Sequence, residues 1–260
     1  MQQVNALVFS GALTSALLVC SCPATAHEAA NRWANIGSLA APEAHQAAAA
    51  DERFVYAITS SQVVKYDRAT GKRIAVSSGE AKHLNSGFFW QGKLYCADSN
   101  YPSQPEHSEI KVLYPQTMQL SEFKDLGNFG GSLTWVVQHD GHWWCNFGRY
   151  GSKNTETFLV KFDSRWEEKG RWTYPRAVVD ELGRYSVSGG LWRDNELLVT
   201  GHDDGVLFRL RLPKHGSVLE LIDAQPIPFT GQGIAHDPSS GGLIGIHRGK
   251  KQVVFAVDTR

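Results

Sequence analysis

The chain has 260 residues, of which 26 are basic and 26 acidic, so its formal net charge is zero. It contains neither a basic stripe nor a run rich in Lys and Arg, which argues against nucleic acid as a partner. Beyond the N-terminal segment, no stretch is long and apolar enough to cross a bilayer, so we expect no transmembrane segment.

The N-terminal residues 1–26 have the features of a secretory signal peptide. Residues 6–19 form an apolar stretch too short to span a membrane, and Ala24-Thr25-Ala26 is a cleavage signal of the A-x-A type. The alternative is a lipoprotein signal, in which Cys22 is the acylated residue. We therefore expect a domain of residues 27–260 that is secreted or periplasmic, with lipid anchoring as the alternative.

A short apolar run that ends in a tight turn recurs five times along the rest of the chain. The runs end at Asp67, Tyr114, Asp163, Leu212 and Asp258, which are 47, 49, 49 and 46 positions apart. Strands and turn residues repeated at this length are typical of the blades of a β-propeller. Two further strand-like segments precede each run, and the first of them is rich in small residues.

The repeat predicts an all-β fold, a five-bladed β-propeller closed by an N-terminal strand that joins the last blade. The predicted blades lie near residues 43–80, 83–127, 131–175, 185–229 and 231–260. The fifth blade lacks an outer strand, and residues 32–39 supply a spare one, which would hide two sheet edges at once. A short helical insert is expected at residues 174–184, between blades three and four.

The two cysteines after the signal segment, Cys96 and Cys145, occupy matching positions in neighbouring blades. One interpretation is a disulfide in an oxidising compartment, and the other is a pair of small buried side chains. Facing sheets lie about 10 Å apart, which is wider than a disulfide spans. We therefore favour buried free thiols.

In a propeller, the start of each inner strand lies at one mouth of the central channel. Superposing the repeats places one polar side chain of each blade there: Gln46, Asn85, Thr134, Ser188 and Gln232. Five hydrogen-bonding groups around one axis would form a good floor for a small ligand. The alternative is a water-filled channel whose polar walls are merely solvated.

The loops after the second strands reach the same mouth and carry most of the other polar side chains. Loop residues on a rigid scaffold are where propellers place function. The candidate ligand-binding residues are Asn100, Tyr101, Arg149, Tyr150 and Arg248. The candidate catalytic residues are His83, Asp98, His202 and His247, with His45 nearby. Histidine suits proton transfer near neutral pH, and arginine can hold a carboxylate with two hydrogen bonds.

A divalent metal is the weaker alternative for the same histidines. His83, His202 and His247 are candidate ligands together with Asp98 or Asp203, because imidazole and carboxylate suit divalent ions. They come from separate blades, and no short-spacing motif supports a metal site. The cofactor is therefore left open. His139 and His236 fall in turns at the opposite face and are interpreted as turn residues.

Several stretches resemble a family of secreted bacterial propeller proteins, seen in planctomycetes and often labelled "cycloisomerase". They are residues 44–49 (AHQAAA), 82–87 (KHLNSG), 131–135 (GSLTW), 142–147 (HWWCNF) and 231–237 (GQGIAHD). The last stretch is also similar to a G-I-A-[YH]-D pattern in plant-type glutaminyl cyclases, which are five-bladed. The N-E-L-E motif of those cyclases is absent, and residues 186–190 (SVSGG) stand at such a position. The resemblance therefore transfers no catalytic residue.

The function expected from these features is that of an extracytoplasmic enzyme of the cycloisomerase or lyase type. Its ligand would be small, polar or anionic, and bound at the channel mouth. The protein is expected to be a monomer. The alternative is a non-catalytic propeller that binds a ligand or another protein. Protein-binding propellers tend to expose apolar patches, whereas the loops at this mouth are charged and hydroxylic.

Overall fold

A computed structural model describes Met1 and residues 32–260, and the described residues consist mainly of β-strands and turns. The predicted cleavage signal and Cys22 lie outside the described residues. No helix within the described part of the chain is long and apolar enough to span a membrane. The sequence-based expectation of an all-β fold is confirmed.

The strands form antiparallel groups of four. Group 1 contains β2 (Ala47–Ala50), β3 (Phe54–Ile58), β4 (Val63–Asp67) and β5 (Arg73–Val76). Group 2 contains β6 (Leu84–Trp90), β7 (Lys93–Ser99), β8 (Ser108–Tyr114) and β9 (Gln119–Gly127). Group 3 contains β10 (Ser132–His139), β11 (His142–Gly148), β12 (Phe158–Phe162) and β13 (Glu168–Thr173). Group 4 contains β14 (Gly189–Arg193), β15 (Glu196–Thr200), β16 (Val206–Arg211) and β17 (Glu220–Pro226).

Group 5 joins the two ends of the described chain. It contains β18 (Thr230–Asp237), β19 (Gly242–His247), β20 (Gln252–Asp258) and β1 (Trp33–Ala40). β1 pairs antiparallel with β20, so the N-terminal segment lies beside the last strand, as its predicted role requires. Groups 1 and 5 together form one eight-stranded sheet, because Gly233 of β18 pairs with Ala47 of β2.

Tight turns connect the first two strands of groups 2 and 3. Gln91 and Gly92 link β6 to β7, and Asp140 and Gly141 link β10 to β11, all four with positive φ. Two residues with positive φ form a type I′ turn, whose twist matches that of the flanking strands. These turns keep the first two strands of each group in fixed register.

The first strands of the groups, β2, β6, β10, β14 and β18, are called the inner strands. Each contacts the next in chain order, and β18 also contacts β2. Their small residues allow this approach: a Cβ on Gly190 would lie 2.4 Å from the Trp135 ring, and one on Gly233 would lie 2.6 Å from the Cβ of Ala47. The predicted enrichment of small residues on these strands thus has a packing cause.

One short α-helix and three 3₁₀ turns lie between the strands of residues 32–260, the third 3₁₀ turn at Arg248–Lys250. α1 (Arg176–Val179) and a 3₁₀ turn at Asp180–Leu182 lie within the predicted insert, which is confirmed. A 3₁₀ turn at Gly151–Glu156, between β11 and β12, was not expected. Cys96 and Cys145 are free and buried, and burial raises the pKa of both thiols.

Candidate functional site

The five predicted ring residues lie at or near the starts of the inner strands, but their donors are largely occupied. Asn85 donates from Nδ2 to the carbonyl of Leu133 at 2.9 Å. Thr134 donates from Oγ1 to the carbonyl of Val187 at 2.7 Å. Each of these side chains therefore bridges its own group to the next, so its first role is to fasten neighbouring inner strands.

The remaining ring residues differ in their surroundings. Gln46 is buried, and its Nε2 donates to Oγ of Ser60 at 3.1 Å. Ser188 directly precedes β14, and its hydroxyl donates to the carbonyl of Ser186 at 3.3 Å. The ring is thus a set of local and inter-group hydrogen bonds.

Gln232 holds the loop that carries His202. Its φ is +90°, in the region that normally favours glycine. Three hydrogen bonds hold it there: its N–H donates to Gly201 O at 2.7 Å, its Nε2 donates to His202 O at 2.7 Å, and its carbonyl accepts from Thr200 Oγ1 at 2.6 Å. Strained backbone persists where the surroundings over-determine it, often beside functional sites.

His202 lines a cavity of about 710 Å³. Its ring stacks on that of Tyr185, with the centroids 3.9 Å apart and the planes 5° apart. Its Nδ1 lies 2.7 Å from Oδ2 of Asp203, although the angle is not that of a hydrogen bond. The loop after β15 and the insert before β14 form the cavity walls, which also include Glu181, Arg184, Asp204 and Phe208.

Arg248 connects this loop with group 1. Its Nη1 lies 3.4 Å from Oδ1 of Asp203, and its Nη2 lies 3.3 Å from Nε2 of His45. Burial, together with the positive charges of Arg248 and His202, lowers the pKa of His45. Side chains from groups 1, 4 and 5 therefore meet in one polar cluster, which we call the polar mouth.

His83 adds a contribution from group 2. Its Nε2 is 3.5 Å from Nε2 of Gln46, and its ring meets the edge of Tyr101 with the centroids 5.7 Å apart. Burial first, and then the charge of His45, lower the pKa of His83. His83 is therefore kept neutral, as a proton acceptor must be.

Asp98, one of the predicted catalytic residues, lies beneath the mouth. It is buried, and its Oδ1 accepts the backbone N–H of His83 at 2.6 Å, while both oxygens lie 3.2 Å from the N–H of Lys82. Burial raises the pKa of Asp98, and the two N–H groups partly offset that effect. With its oxygens engaged in this way, Asp98 positions His83 and makes no contact that a ligand would need.

The other predicted binding residues form a second wall, around a cavity of about 380 Å³. The rings of Tyr101 and Tyr150 are 4.6 Å apart, and burial raises the pKa of the Tyr150 hydroxyl. Arg149 donates to Gly130 O at 2.5 Å. Asn100 does not face the cavity, since its side chain accepts from the N–H of His107 within its own loop.

The three histidines proposed as metal ligands do not come together as a ligand set. Within residues 32–260, no group of three or more His, Cys, Asp or Glu side chains is arranged to hold a metal ion. His83, His202 and His247 come from separate groups, and Asp203, which follows His202 in the same loop, is already engaged with Arg248. His247 is half-buried, and its Nδ1 has no hydrogen-bond partner.

The two histidines interpreted as turn residues lie at the other ends of the inner strands. His139 is the last residue of β10, and its ring stacks on Trp192 with the centroids 5.1 Å apart. His236 is exposed near the end of β18 and lines a different cavity. Neither residue lines a cavity at the polar mouth.

Two residues of the site were missed by sequence reasoning, Arg184 and Tyr185. Both lie shortly after the 3₁₀ turn at Asp180–Leu182, at the end of the insert, and Nη2 of Arg184 donates to the Tyr185 hydroxyl at 3.1 Å. The insert itself was visible in the sequence between the third and fourth repeats. The insert ends where the next inner strand begins, and this position indicates that its last side chains reach the mouth.

Comparison with family models and with curated proteins returned no match to this sequence. Many solved structures resemble it in fold, among them the following two. Glutaminyl cyclase from Myxococcus xanthus has 8% sequence identity and a TM-score of 0.58, over 86% of this chain and 95% of that chain. The β-propeller domain of Cps50 (Swd1) from Myceliophteria thermophila has 10% identity and a TM-score of 0.50, over 87% of this chain and 100% of that chain.

The chain is a β-propeller. At such low identity the likeness concerns the fold alone, so the function has to be argued from the site.

Proposed function

We propose that the five strand groups are the blades of one five-bladed propeller, closed by β1. Support comes from the contacts of each inner strand with the next and of β18 with β2, and from the pairing of β1 with β20. A closed ring leaves no pair of inner strands unpacked, and β1 covers the outer edge that β20 would otherwise expose. The inner-strand starts then surround a single polar mouth.

At that mouth, the protein acts as an isomerase or lyase that removes a proton from a small polar ligand bearing a carboxylate. The observation that carries this proposal is the cluster of His202, Asp203, Arg248 and His45 beside an open cavity. His202 accepts the proton, because its ring is held by Tyr185 and its Nδ1 faces a carboxylate that stabilises the imidazolium. The proton then returns to a different atom in an isomerase, or the ligand expels a leaving group in a lyase.

The guanidinium that holds the ligand carboxylate is Arg184 in this proposal. Sequence reasoning favoured Arg149 and Arg248 instead. Arg149 donates to Gly130 O and lies 3.4 Å from Glu156, while Arg248 contacts Asp203. Arg184 is exposed at the cavity wall and shares only one nitrogen with Tyr185, so most of its donors are free for a carboxylate.

Proton abstraction can be observed directly. A panel of small hydroxy, keto and sugar carboxylates is first screened for a rise in melting temperature. The ligands that stabilise the protein are then incubated with it in D₂O, and deuterium incorporation is followed by proton NMR. We expect exchange at a carbon next to the carboxylate or carbonyl, and we expect His202→Gln to reduce its rate at least a hundredfold, since general base catalysis contributes about 10²–10⁴-fold.

His139→Gln is the matched control, because His139 lies at the other ends of the inner strands. It should exchange the ligand at the rate of the unmodified protein. Unchanged exchange in His202→Gln would refute the proposed role of His202. A ligand that binds at the mouth without exchange or turnover would instead identify the protein as a non-catalytic binding propeller, the alternative class.

The proposed location is outside the cytoplasm, on the basis of residues 1–26. The apolar run and the Ala24-Thr25-Ala26 signal support cleavage before His27, and acylation of Cys22 remains the alternative. The intact mass of the exported chain distinguishes the two, because a lipidated chain retains Cys22. A chain that keeps Met1 and stays inside the cell would exclude both.

A further inference from the structure

Another cavity, of about 450 Å³, lies at the other ends of the inner strands. Every inner strand contributes to its wall: Ala50 from β2, Phe88 from β6, Val137 from β10, Trp192 from β14 and Ala235 from β18. The cavity is therefore centred on the ring of inner strands. We call it the apolar mouth.

The wall of the apolar mouth is aromatic and held in place. The Trp192 ring stacks on the ring of His139, and the two ring planes differ by 7°. The Trp144 ring also packs on Trp192, with the ring centroids 4.7 Å apart. Phe88 packs on Tyr95 with the centroids 5.6 Å apart. Phe88 and Trp192 are nevertheless only half-buried, which leaves ring surface available to a ligand. An aromatic wall fixed in this way loses little entropy on binding.

The charges at the rim balance. Arg193 and Asp194 are adjacent and both line the cavity, so neither sign of ligand charge is favoured. Arg193 also lies 3.6 Å from the carboxylate of Asp258. A neutral ligand therefore suits this cavity better than an anion, in contrast to the polar mouth.

The two mouths are separate sites. No residue lines both the apolar mouth and either cavity of the polar mouth. Between them the inner strands pack closely, because a Cβ on Gly233 would lie 2.6 Å from the Cβ of Ala47 and 2.9 Å from the Cα of Ser86. A ligand at one mouth therefore makes no contact with a ligand at the other.

We infer that the apolar mouth is a binding site for a small, neutral, ring-shaped apolar molecule. Its volume lies within the usual range of about 300–1,000 Å³ for small-molecule sites. A dry cavity of about 150 Å³ already holds benzene, so a ligand of two rings fits. The recessed, ring-centred wall favours a small molecule over a protein surface. This inference is independent of the proposed function.

The test uses N-phenyl-1-naphthylamine, a neutral two-ring-system probe whose fluorescence rises in apolar surroundings. We expect saturable binding with one site per chain. Trp192→Ala and Phe88→Ala should each raise the dissociation constant of the probe at least tenfold. Because these substitutions remove packed rings, a third variant, Gln138→Trp, fills the cavity from a half-buried position and should abolish binding with the fold retained by circular dichroism.

Phe129→Ala is the matched control, because Phe129 is also half-buried but packs on Phe147, with the centroids 4.6 Å apart, outside this cavity. It should bind the probe within twofold of the unmodified protein, as should His202→Gln. Non-saturable binding, equal loss in Phe129→Ala, or unchanged binding in Gln138→Trp would overturn the inference. So would loss in His202→Gln, or tighter binding of the sulfonated analogue 1-anilinonaphthalene-8-sulfonate.

Discussion

Single polar residues near the polar mouth divide into those that fasten the backbone and those that face a cavity. Gln232 and Asp98 belong to the first kind, since their side chains hold the loops that carry His202 and His83. His202 and Arg184 belong to the second, because both line the cavity of about 710 Å³. Removing a partner from a buried polar group is costly, so substitutions of the first kind of residue should lower the free energy of unfolding.

Replacing Asp98 with Asn should destabilise the protein by about 1–3 kcal/mol, the cost of leaving a buried group unsatisfied. The amide keeps one acceptor oxygen, which both N–H groups must share, and the NH₂ that replaces the other oxygen is a buried donor facing the N–H of Lys82. Urea unfolding measures the difference. Asp125→Asn is the control, because Asp125 is exposed and should change stability by no more than about 0.5 kcal/mol. Equal stability of the two variants would contradict this role.

Among the elements, β1 pairs with the strand that is farthest from it along the chain. It pairs along its length with β20, and Arg32 just before it donates to Oδ2 of Asp258 at 2.8 and 2.6 Å. Trp33 is buried, and its Nε1 donates to Oε1 of Gln225 in β17 at 3.0 Å. β1 therefore links group 5 to group 4 through one side chain.

Trp33→Ala should cost about 3–5 kcal/mol of the free energy of unfolding, the usual loss for a large buried aromatic side chain. Ile36→Ala is the control on the same strand, since Ile36 is 53% exposed and should change stability by about 0.5 kcal/mol or less. Chemical denaturation of both variants makes the comparison. If Trp33→Ala were tolerated as well as Ile36→Ala, β1 would contribute nothing to closing the proposed ring.

On the scale of the whole molecule, the inner strands have chemically different ends. At one end the polar mouth gathers His45, His83, His202 and Arg248, and at the other end aromatic rings line the apolar mouth. Basic groups crowded at one end make the stability of the molecule sensitive to protonation. The pKa values of His45 and His83 are both lowered, mainly by burial.

A histidine whose pKa is lowered on folding stabilises the folded state only while it is neutral. Its contribution is present above the unfolded pKa of about 6.5 and is lost as the pH falls through the folded value. The melting temperature should therefore decrease from pH 7.5 to pH 5. The double variant His45→Gln/His83→Gln should show a shallower decrease, measured by calorimetry.

His215→Gln provides the control for this pH dependence, because His215 is exposed in the turn between β16 and β17. It should keep the slope of the unmodified protein. An identical slope in the double variant would show that the polar mouth does not govern stability in this range.

The period of the sequence determined much of the fold. The apolar runs near 47 residues apart became the third strands of the groups, the alanines at 47–50 became β2 despite their helical composition, and residues 174–184 contain α1. These features are local, because strand and turn preferences repeat at fixed offsets. The burial of Cys96 and Cys145 as free thiols also followed from the repeat.

Only the tertiary structure decided which polar residues face a cavity. Asp98 and His202 look alike in sequence, since each lies close to the end of a second strand, yet Asp98 is buried beneath His83 while His202 stacks on Tyr185. The apolar mouth was equally invisible, because the sequence does not show that Phe88 and Trp192 are left half-buried beside a cavity. Side-chain direction and partners depend on contacts between residues far apart in the chain, which a periodic pattern does not encode.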